Sequence, residues 1–210
     1  TNLPFIQIAT PTSHTMTHSA LRRTLLLALA STPFARATAT PMPPDMRLVR
    51  LEAASGGRLG VAALNTADGR EVLHRADERF PFCSTFKMML SAAVLAREPS
   101  ALQQRIRYAK DELVAHSPIT GKNLDDGMTI EALCAATIQY SDNTAANLLL
   151  ASLGGPSAVT RFARALGDPV TRLDRNEPSL NDVKPGDVRD TTTPAAMLAD
   201  MRAVVLGNAL

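Results

Sequence analysis

A chain of 210 residues with 45% apolar and 20% charged side chains is long enough for one or two globular domains with a buried core. Its 22 basic and 20 acidic residues nearly cancel to a net charge of +2, which removes the electrostatic basis for a nucleic-acid or membrane-surface partner and leaves small molecules or proteins. Two cysteines, Cys83 and Cys134, are too few for a disulfide-stapled scaffold and have no Cys/His cluster beside them to suggest zinc, so no metal or other cofactor is expected.

The N-terminal segment is built like an export signal: the basic pair Arg22-Arg23 precedes an apolar run over 25–30 and small residues ending in Ala37-Thr38-Ala39. Cleavage near Ala39 is expected, which sets 1–39 apart as an upstream extension and signal peptide, with Met16 as a candidate start, and leaves 40–210 as the mature domain. The paired arginines also fit the twin-arginine route, although Leu21 stands where that signal prefers Ser or Thr. The apolar run is far shorter than the roughly 20 residues that span a bilayer. The expectation is a periplasmic or secreted protein with no stable membrane anchor.

Past the joint Pro41-Met42-Pro43-Pro44, Asp45 is placed to cap a helix that carries Leu48 and Leu51 on its apolar face and stops at Gly56-Gly57. Short strand-like runs over 59–64 and 71–74 flank Asp68-Gly69, a hairpin signal, and two strands alone need further partners to make a stable sheet. The run 84–95 is apolar on nearly every side with polar residues only at its start, as befits a helix in the middle of a protein. Further helices are expected over 129–140, 143–153, 156–166 and 194–206; the third carries Val159, Phe162, Ala163 and Leu166 on one stripe and stops at Gly167. Residues 168–193 show no periodicity and are rich in Asp, Arg, Asn and Pro; irregular loops of that length are usually functional. The chain thus reads as an α/β part up to about residue 83 and a mostly helical part from 84 on.

Three groups of residues could carry chemistry. Ser84-Thr85-Phe86-Lys87 puts a hydroxyl and an amine on one face of the buried helix, at the end where free N–H groups and the helix dipole favour an oxyanion. Serine needs a base to take its proton, and a lysine whose pKa is lowered by burial is a suitable partner. The plainer alternative is a Ser84 that merely caps the helix and a Lys87 that reaches solvent. Ser141-Asp142-Asn143 links two helices; Ser141 could pass a proton to a leaving nitrogen and Asn143 could bind an amide, while Ser141 and Asp142 are also ordinary N-cap residues. In the long loop, Glu177 and Asn181 are spaced to hold one water between them, which would make Glu177 a general base for ester hydrolysis rather than a solvated surface charge.

Taken together, Ser84-x-x-Lys87, Ser141-Asp142-Asn143 and Glu177-x-x-x-Asn181 resemble, in order and spacing, the motifs of class A serine β-lactamases. The likeness extends from about Asp45 to Leu210, through Arg79-Phe80-Pro81, the run Asn143-Thr144-Ala145-Ala146-Asn147-Leu148, and Asp190-Thr191-Thr192-Thr193-Pro194. The resemblance implies the β-lactamase/transpeptidase-like α+β fold, an antiparallel sheet flanked by helices plus an all-helical domain, acting as a monomer on a small-molecule β-lactam. It assigns Ser84 as nucleophile, Lys87 as proton-transfer partner, Ser141 as proton shuttle, and Glu177, helped by Asn181, as the base for the deacylating water. Asn143 would bind the acylamino side chain, Arg175 and Asp190 would pair at the neck of the loop, and His116 matches a cleft-wall position often held by Tyr.

The same resemblance bears on the cysteines and on the C-terminus. In some relatives a cysteine at the position of Cys83 is bridged to one on a later strand, which these 210 residues do not contain, and Cys134 matches a bridged position whose partner position here is Ser91; both cysteines are therefore expected to be free here, with a Cys83 bridge left only to a longer parent. The family's Lys-Thr-Gly motif does not occur in these 210 residues, so the last three strands and the C-terminal helix are expected to lie beyond Leu210. A chain without them is expected to be unstable and essentially inactive. Two alternatives share part of the pattern: a penicillin-binding transpeptidase or carboxypeptidase, and a non-hydrolytic β-lactam-binding protein. Glu177 argues against the first, which lacks such a base for rapid deacylation, while the second differs in holding its acyl adduct for hours.

Overall fold

The computed structural model describes residues 44–97 and 99–210, so the expected export signal and its cleavage near Ala39 lie outside the described residues. Helix α1 (Pro44–Ser55) starts one residue before the Asp45 expected to cap it and ends at Gly56, whose φ of 70° supplies the left-handed turn that stops it. Strands β1 (Val61–Leu64) and β2 (Glu71–His74) form the expected hairpin, with Val61 opposite His74 and Leu64 opposite Glu71. The first strand begins later than its hydrophobicity suggests because Leu59 N–H is directed to the Glu52 carboxylate (3.3 Å) and Gly60 is needed for close packing. A Cβ at Gly60 would stand 2.4 Å from the Phe80 ring and 2.8 Å from Pro194.

Two further antiparallel pairs complete the described β-structure. In one, β3 (Phe80–Pro81) lies against β6 (Thr191–Thr192); in the other, β4 (Arg105–Ile106) lies against β5 (Met128–Thr129). The first of these ties the chain leading into Ser84 to the chain leaving the long loop.

The helical part forms around α2 (Phe86–Leu95), which packs against α3 (Ile130–Tyr140), α4 (Asn143–Ser152) and α5 (Ser157–Ala165). Phe86, Met89 and Leu90 of α2 are fully buried, as are Leu133, Leu149, Leu150 and Val159 of its neighbours; this contiguous cluster is the core. Helix ends fall within a residue of expectation because capping groups set them. Thr129 Oγ1 accepts from Ala132 N–H (3.1 Å), Asp142 from Ala145 N–H (2.9 Å), and Thr193 Oγ1 from Ala196 N–H (3.1 Å) at the start of α6 (Pro194–Val205). Truncating Thr129 to alanine is expected to cost about 1 kcal/mol, seen as a lower urea midpoint at unchanged m-value.

One boundary differs from expectation. Ser84 does not begin the α-helix but sits in a short 3₁₀ turn (Cys83–Thr85) ahead of it, because Cys83 has a left-handed φ of 44° that an α-helix cannot include. The long loop also differs in kind from its sequence: Leu173 and Leu180 are buried in the core, so its two limbs are packed while residues 181–186 face solvent. No described helix is long and apolar enough to cross a membrane.

Candidate active site

The route to Ser84 is held on both sides. Pro81 lies opposite Thr191, Phe82 donates its N–H to Asp190 O at 2.7 Å, and the Phe82 side chain is buried. Cys83 then turns in the left-handed region, and Ser84 follows at the N-terminal end of α2 with Lys87 one turn along. Among the described residues other than glycine, left-handed φ occurs at Arg75, Cys83, His116, Ser141 and Asp190; all but the first are expected site residues or the neighbour of one. Such a conformation is unfavourable for a residue with a Cβ and persists only where surrounding contacts hold it.

Lys87 is the hub. Its side chain is 3% exposed, and Nζ lies 2.6 Å from Asn143 Oδ1, 2.7 Å from Ser141 O, 3.0 Å from Ser141 Oγ, 3.2 Å from Ser84 Oγ and 3.2 Å from Glu177 Oε1. An ammonium has three protons for these five oxygens, so its hydrogen bonds must be shared or exchanged. Burial lowers the pKa of Lys87, and the negative charge of Glu177 works against that shift. The hydroxyl of Ser141 also donates to Ser84 Oγ at 3.0 Å, closing a triangle of Ser84, Lys87 and Ser141.

The geometry of the second motif comes from its middle residue. Asp142 is fully buried; besides capping α4 it accepts from Ile119 N–H and Thr120 N–H (2.9 Å each) and from Thr120 Oγ1 (2.8 Å). That anchorage leaves Ser141 at the left-handed end of α3 and Asn143 at the first turn of α4, both turned toward Lys87. Asn143 gives its oxygen to Lys87 and donates Nδ2–H to Ala115 O at 2.9 Å, which leaves one amide proton available. His116 is exposed on the neighbouring loop; its carbonyl accepts from Asn143 N–H at 3.0 Å and its Nε2 lies 3.1 Å from Tyr140 O.

The third motif enters from the long loop. The Glu177 side chain is wholly buried, with Oε2 accepting from Asn181 Nδ2 at 2.7 Å while Oε1 faces Lys87 as an ion pair without a well-directed hydrogen bond. Asn147, on α4 one turn after Asn143, was given no role by the sequence reading, yet it grips the loop at this residue. Its Nδ2 donates to Glu177 O and its Oδ1 accepts from Glu177 N–H, both at 2.9 Å. The i, i+4 spacing from Asn143 was the available signal, since it puts both amides on one helix face.

At the neck, Arg175 Nε lies 2.6 Å from Asp190 Oδ2, and Asp190 Oδ1 accepts from Asp174 N–H (2.7 Å) and Arg175 N–H (3.0 Å). Arg175 and Asp190 thus stand apart from the reacting groups and close the loop that presents Glu177.

A pocket of about 310 Å³ opens beside these groups, lined by Ser84, Lys87, Thr137, Ser141, Met197 and Met201. A larger cavity, about 520 Å³, lies between the β1–β2 hairpin and α6, but its lining is mostly aliphatic and holds no nucleophile. Cys83 is free and exposed and Cys134 is free and buried, where burial pushes its thiol up to about 11. No cluster of three or more His, Cys, Asp or Glu side chains able to hold a metal occurs among the described residues.

The pattern that describes the β-lactamase enzyme family matches residues 44–210. Among curated relatives, β-lactamase OXY-1 of Klebsiella oxytoca and β-lactamase Toho-1 of Escherichia coli are each 50% identical over 202 residues, covering 93% of this chain and 69% of theirs. An ancestral class A β-lactamase structure is 59% identical with a TM-score of 0.78, covering 80% of this chain and 66% of that one. The β-lactamase of Desulfarculus baarsii is 55% identical at the same TM-score, covering 80% and 63%. The chain therefore spans about two thirds of the length of these relatives and shares their β-lactamase/transpeptidase fold over that span. With fold, matched residues and relatives in agreement, the chain belongs to the class A β-lactamase family.

Proposed function

We propose that the protein hydrolyses the amide of penicillins and cephalosporins through an acyl-enzyme on Ser84, and so confers resistance to these antibiotics. The observation that carries this reading is a chain of contacts from a buried carboxylate through a buried amine to an exposed hydroxyl: Glu177 Oε1 is 3.2 Å from Lys87 Nζ, which is 3.2 Å from Ser84 Oγ. In the acylation step, Ser84 Oγ attacks the lactam carbonyl as its proton passes to Lys87 in its neutral form, which burial favours and which an earlier transfer of a Lys87 proton to Glu177 would supply. The backbone N–H of Ser84, at the positive end of α2, faces the developing oxyanion. Ser141 Oγ, in contact with both Ser84 and Lys87, delivers a proton to the leaving nitrogen.

Deacylation then falls to Glu177. A water bound beside the Glu177 carboxylate, within reach of the Asn181 amide that already donates to it, would be deprotonated as it attacks the ester, regenerating Ser84. Asn143, with one free amide proton, and His116, on the exposed wall, are assigned to the substrate's side chain. The reading also has the chain exported after cleavage near Ala39, supported by the signal-like segment over 22–39, and working as a monomer, supported by a site drawn from one chain.

The alternative of a transpeptidase, or a protein that only binds β-lactams, differs in the lifetime of the ester. Intact-mass measurement after adding penicillin should show an adduct on Ser84 that forms and clears, and that Ser84→Ala abolishes. An adduct that persists for hours would favour the alternatives and overturn the proposal.

A further inference from the structure

Helix α6 buries a single side chain among its described residues, and it is a carboxyl: Asp200 is 1% exposed. Its neighbour is Asp168, 5% exposed, in the turn where the long loop leaves α5. Both carboxyls face one cavity of about 220 Å³, close enough for the Asp168 charge to act on Asp200, and two buried acids so placed favour holding one proton over carrying two charges. Asp168 is equipped to hold the charge: Oδ1 accepts from Val170 N–H at 2.6 Å and Thr171 N–H at 3.1 Å, and Oδ2 accepts from Thr171 N–H at 3.2 Å. Asp200 is not, since its Oδ2 is buried with no donor facing it. An orphaned carboxylate oxygen against a second carboxylate is costly, whereas a protonated one becomes the donor that the contact lacks.

The surrounding charges do not supply an alternative partner. Arg164, on α5, is a cation whose charge reaches Asp200, but its guanidinium donates to Asp168 O (2.6 Å) and Thr171 O (2.8 Å) rather than to either carboxyl. Arg79, just before β3, donates to Val170 O (3.0 Å) and Thr191 Oγ1 (2.9 Å). Asp77 also lines the cavity shared by Asp168 and Asp200 and adds another acid; Arg202 of α6 lines the cavity beside the hairpin.

We infer that Asp168 and Asp200 share one proton and form a pH-sensitive fastening that joins the two ends of the long loop. Asp168 sits at the start of the loop and Asp200 on the helix that follows it; between them Thr171 Oγ1 meets Thr192 Oγ1 at 2.6 Å and Arg172 N–H meets Thr191 O at 3.0 Å. Loss of the proton puts two negative charges in contact at the base of the segment that carries Glu177. The direction follows from linkage. Burial first, then the Asp168 charge, pushes the Asp200 carboxyl up to about 7. Asp168 goes the other way: burial would raise it, but donors from Thr171 and Val170 outweigh that and lower it. Between about 4, where a free aspartate releases its proton, and about 7, the native chain keeps a proton that the unfolded chain has lost. Stability therefore falls as pH rises through that window and levels off above it.

Urea midpoints of the chain and of Asp200→Asn, measured across pH 4–9, test this. The amide keeps a donor at every pH, so the difference between variant and parent should grow from about pH 4 to about pH 7 in the variant's favour and then stay constant. Parallel curves would overturn the inference. Carboxyl-carbon NMR of the unmodified chain gives a second reading that does not depend on the variant folding: a proton lost from the pair near neutrality supports the fastening, and two carboxyls fully ionised below pH 5 refute it. Amide exchange at Thr171 and Thr192, corrected for intrinsic rate, should quicken at pH 8.5 relative to pH 6, and equal protection would contradict the inference. Stabilisation by Mg²⁺ or Ca²⁺ at pH 8 that Asp200→Asn abolishes would assign the pair to a cation instead and would also overturn it.

Discussion

Replacing Glu177 with glutamine is expected to leave β-lactam bound to Ser84 as an ester and to slow its release by roughly 10²–10⁴-fold, the usual contribution of a positioned general base. The amide is nearly the same shape and can still contact Lys87 and Asn181, but it cannot take a proton from water. Asn147 holds the residue by its backbone, so the loop should keep its course and the effect should be chemical rather than structural. A burst of one adduct per Ser84, followed by slow loss on intact mass, is the expected record. Release at the parent's rate would sink the assignment of Glu177. The burst rate carries separate information. If acylation is unchanged, Lys87 is sufficient to activate Ser84; if it falls as well, the carboxylate takes part in both halves.

The largest loss of stability from one substitution at the site is expected at a residue that touches no substrate. Asp142→Ala removes the acceptor shared by Ile119 N–H, Thr120 N–H, Thr120 Oγ1 and Ala145 N–H in a wholly buried position. Leaving such donors unpaired costs about 1–3 kcal/mol apiece when water cannot reach them, and partial relaxation brings the expected total to roughly 3–5 kcal/mol. Asp142→Asn, which keeps an acceptor oxygen, should lose markedly less. Urea unfolding of the three proteins checks the order. Because the same carboxylate sets the path from α3 to α4, the alanine variant should also acylate more slowly in whatever fraction remains folded, as Ser141 and Asn143 lose their aim at Lys87.

How much of this was legible in the sequence depended on whether the relevant information was local. Thr129, Asp142, Thr193 and Gly167 act within a few residues of themselves, and the helices they bound end almost where expected. The three reactive motifs were legible because order and spacing are properties of the chain, and the structure brings Ser84, Lys87, Ser141, Asn143, Glu177 and Asn181 into one connected cluster around the buried Lys87 and Glu177. What was not legible depended on partners distant in sequence. Asp200 lies in an apolar stretch of α6, where a lone acid reads as a solvent-facing residue, and only the fold sets it against Asp168. The long loop shows no periodicity, so the burial of Leu173 and Leu180 could not be inferred from spacing. The start of α2 was misplaced for a similar reason: the bond from Phe82 N–H to Asp190 O helps hold Cys83 in a conformation that local preference disfavours.

The paired bonds from Asn147 have a consequence for how this enzyme family can vary. They transfer the positioning of the carboxylate from a stretch of irregular backbone to a rigid helix, so the outermost residues, 182–189, are relieved of that duty. Those residues can lengthen, shorten or change charge without shifting the base.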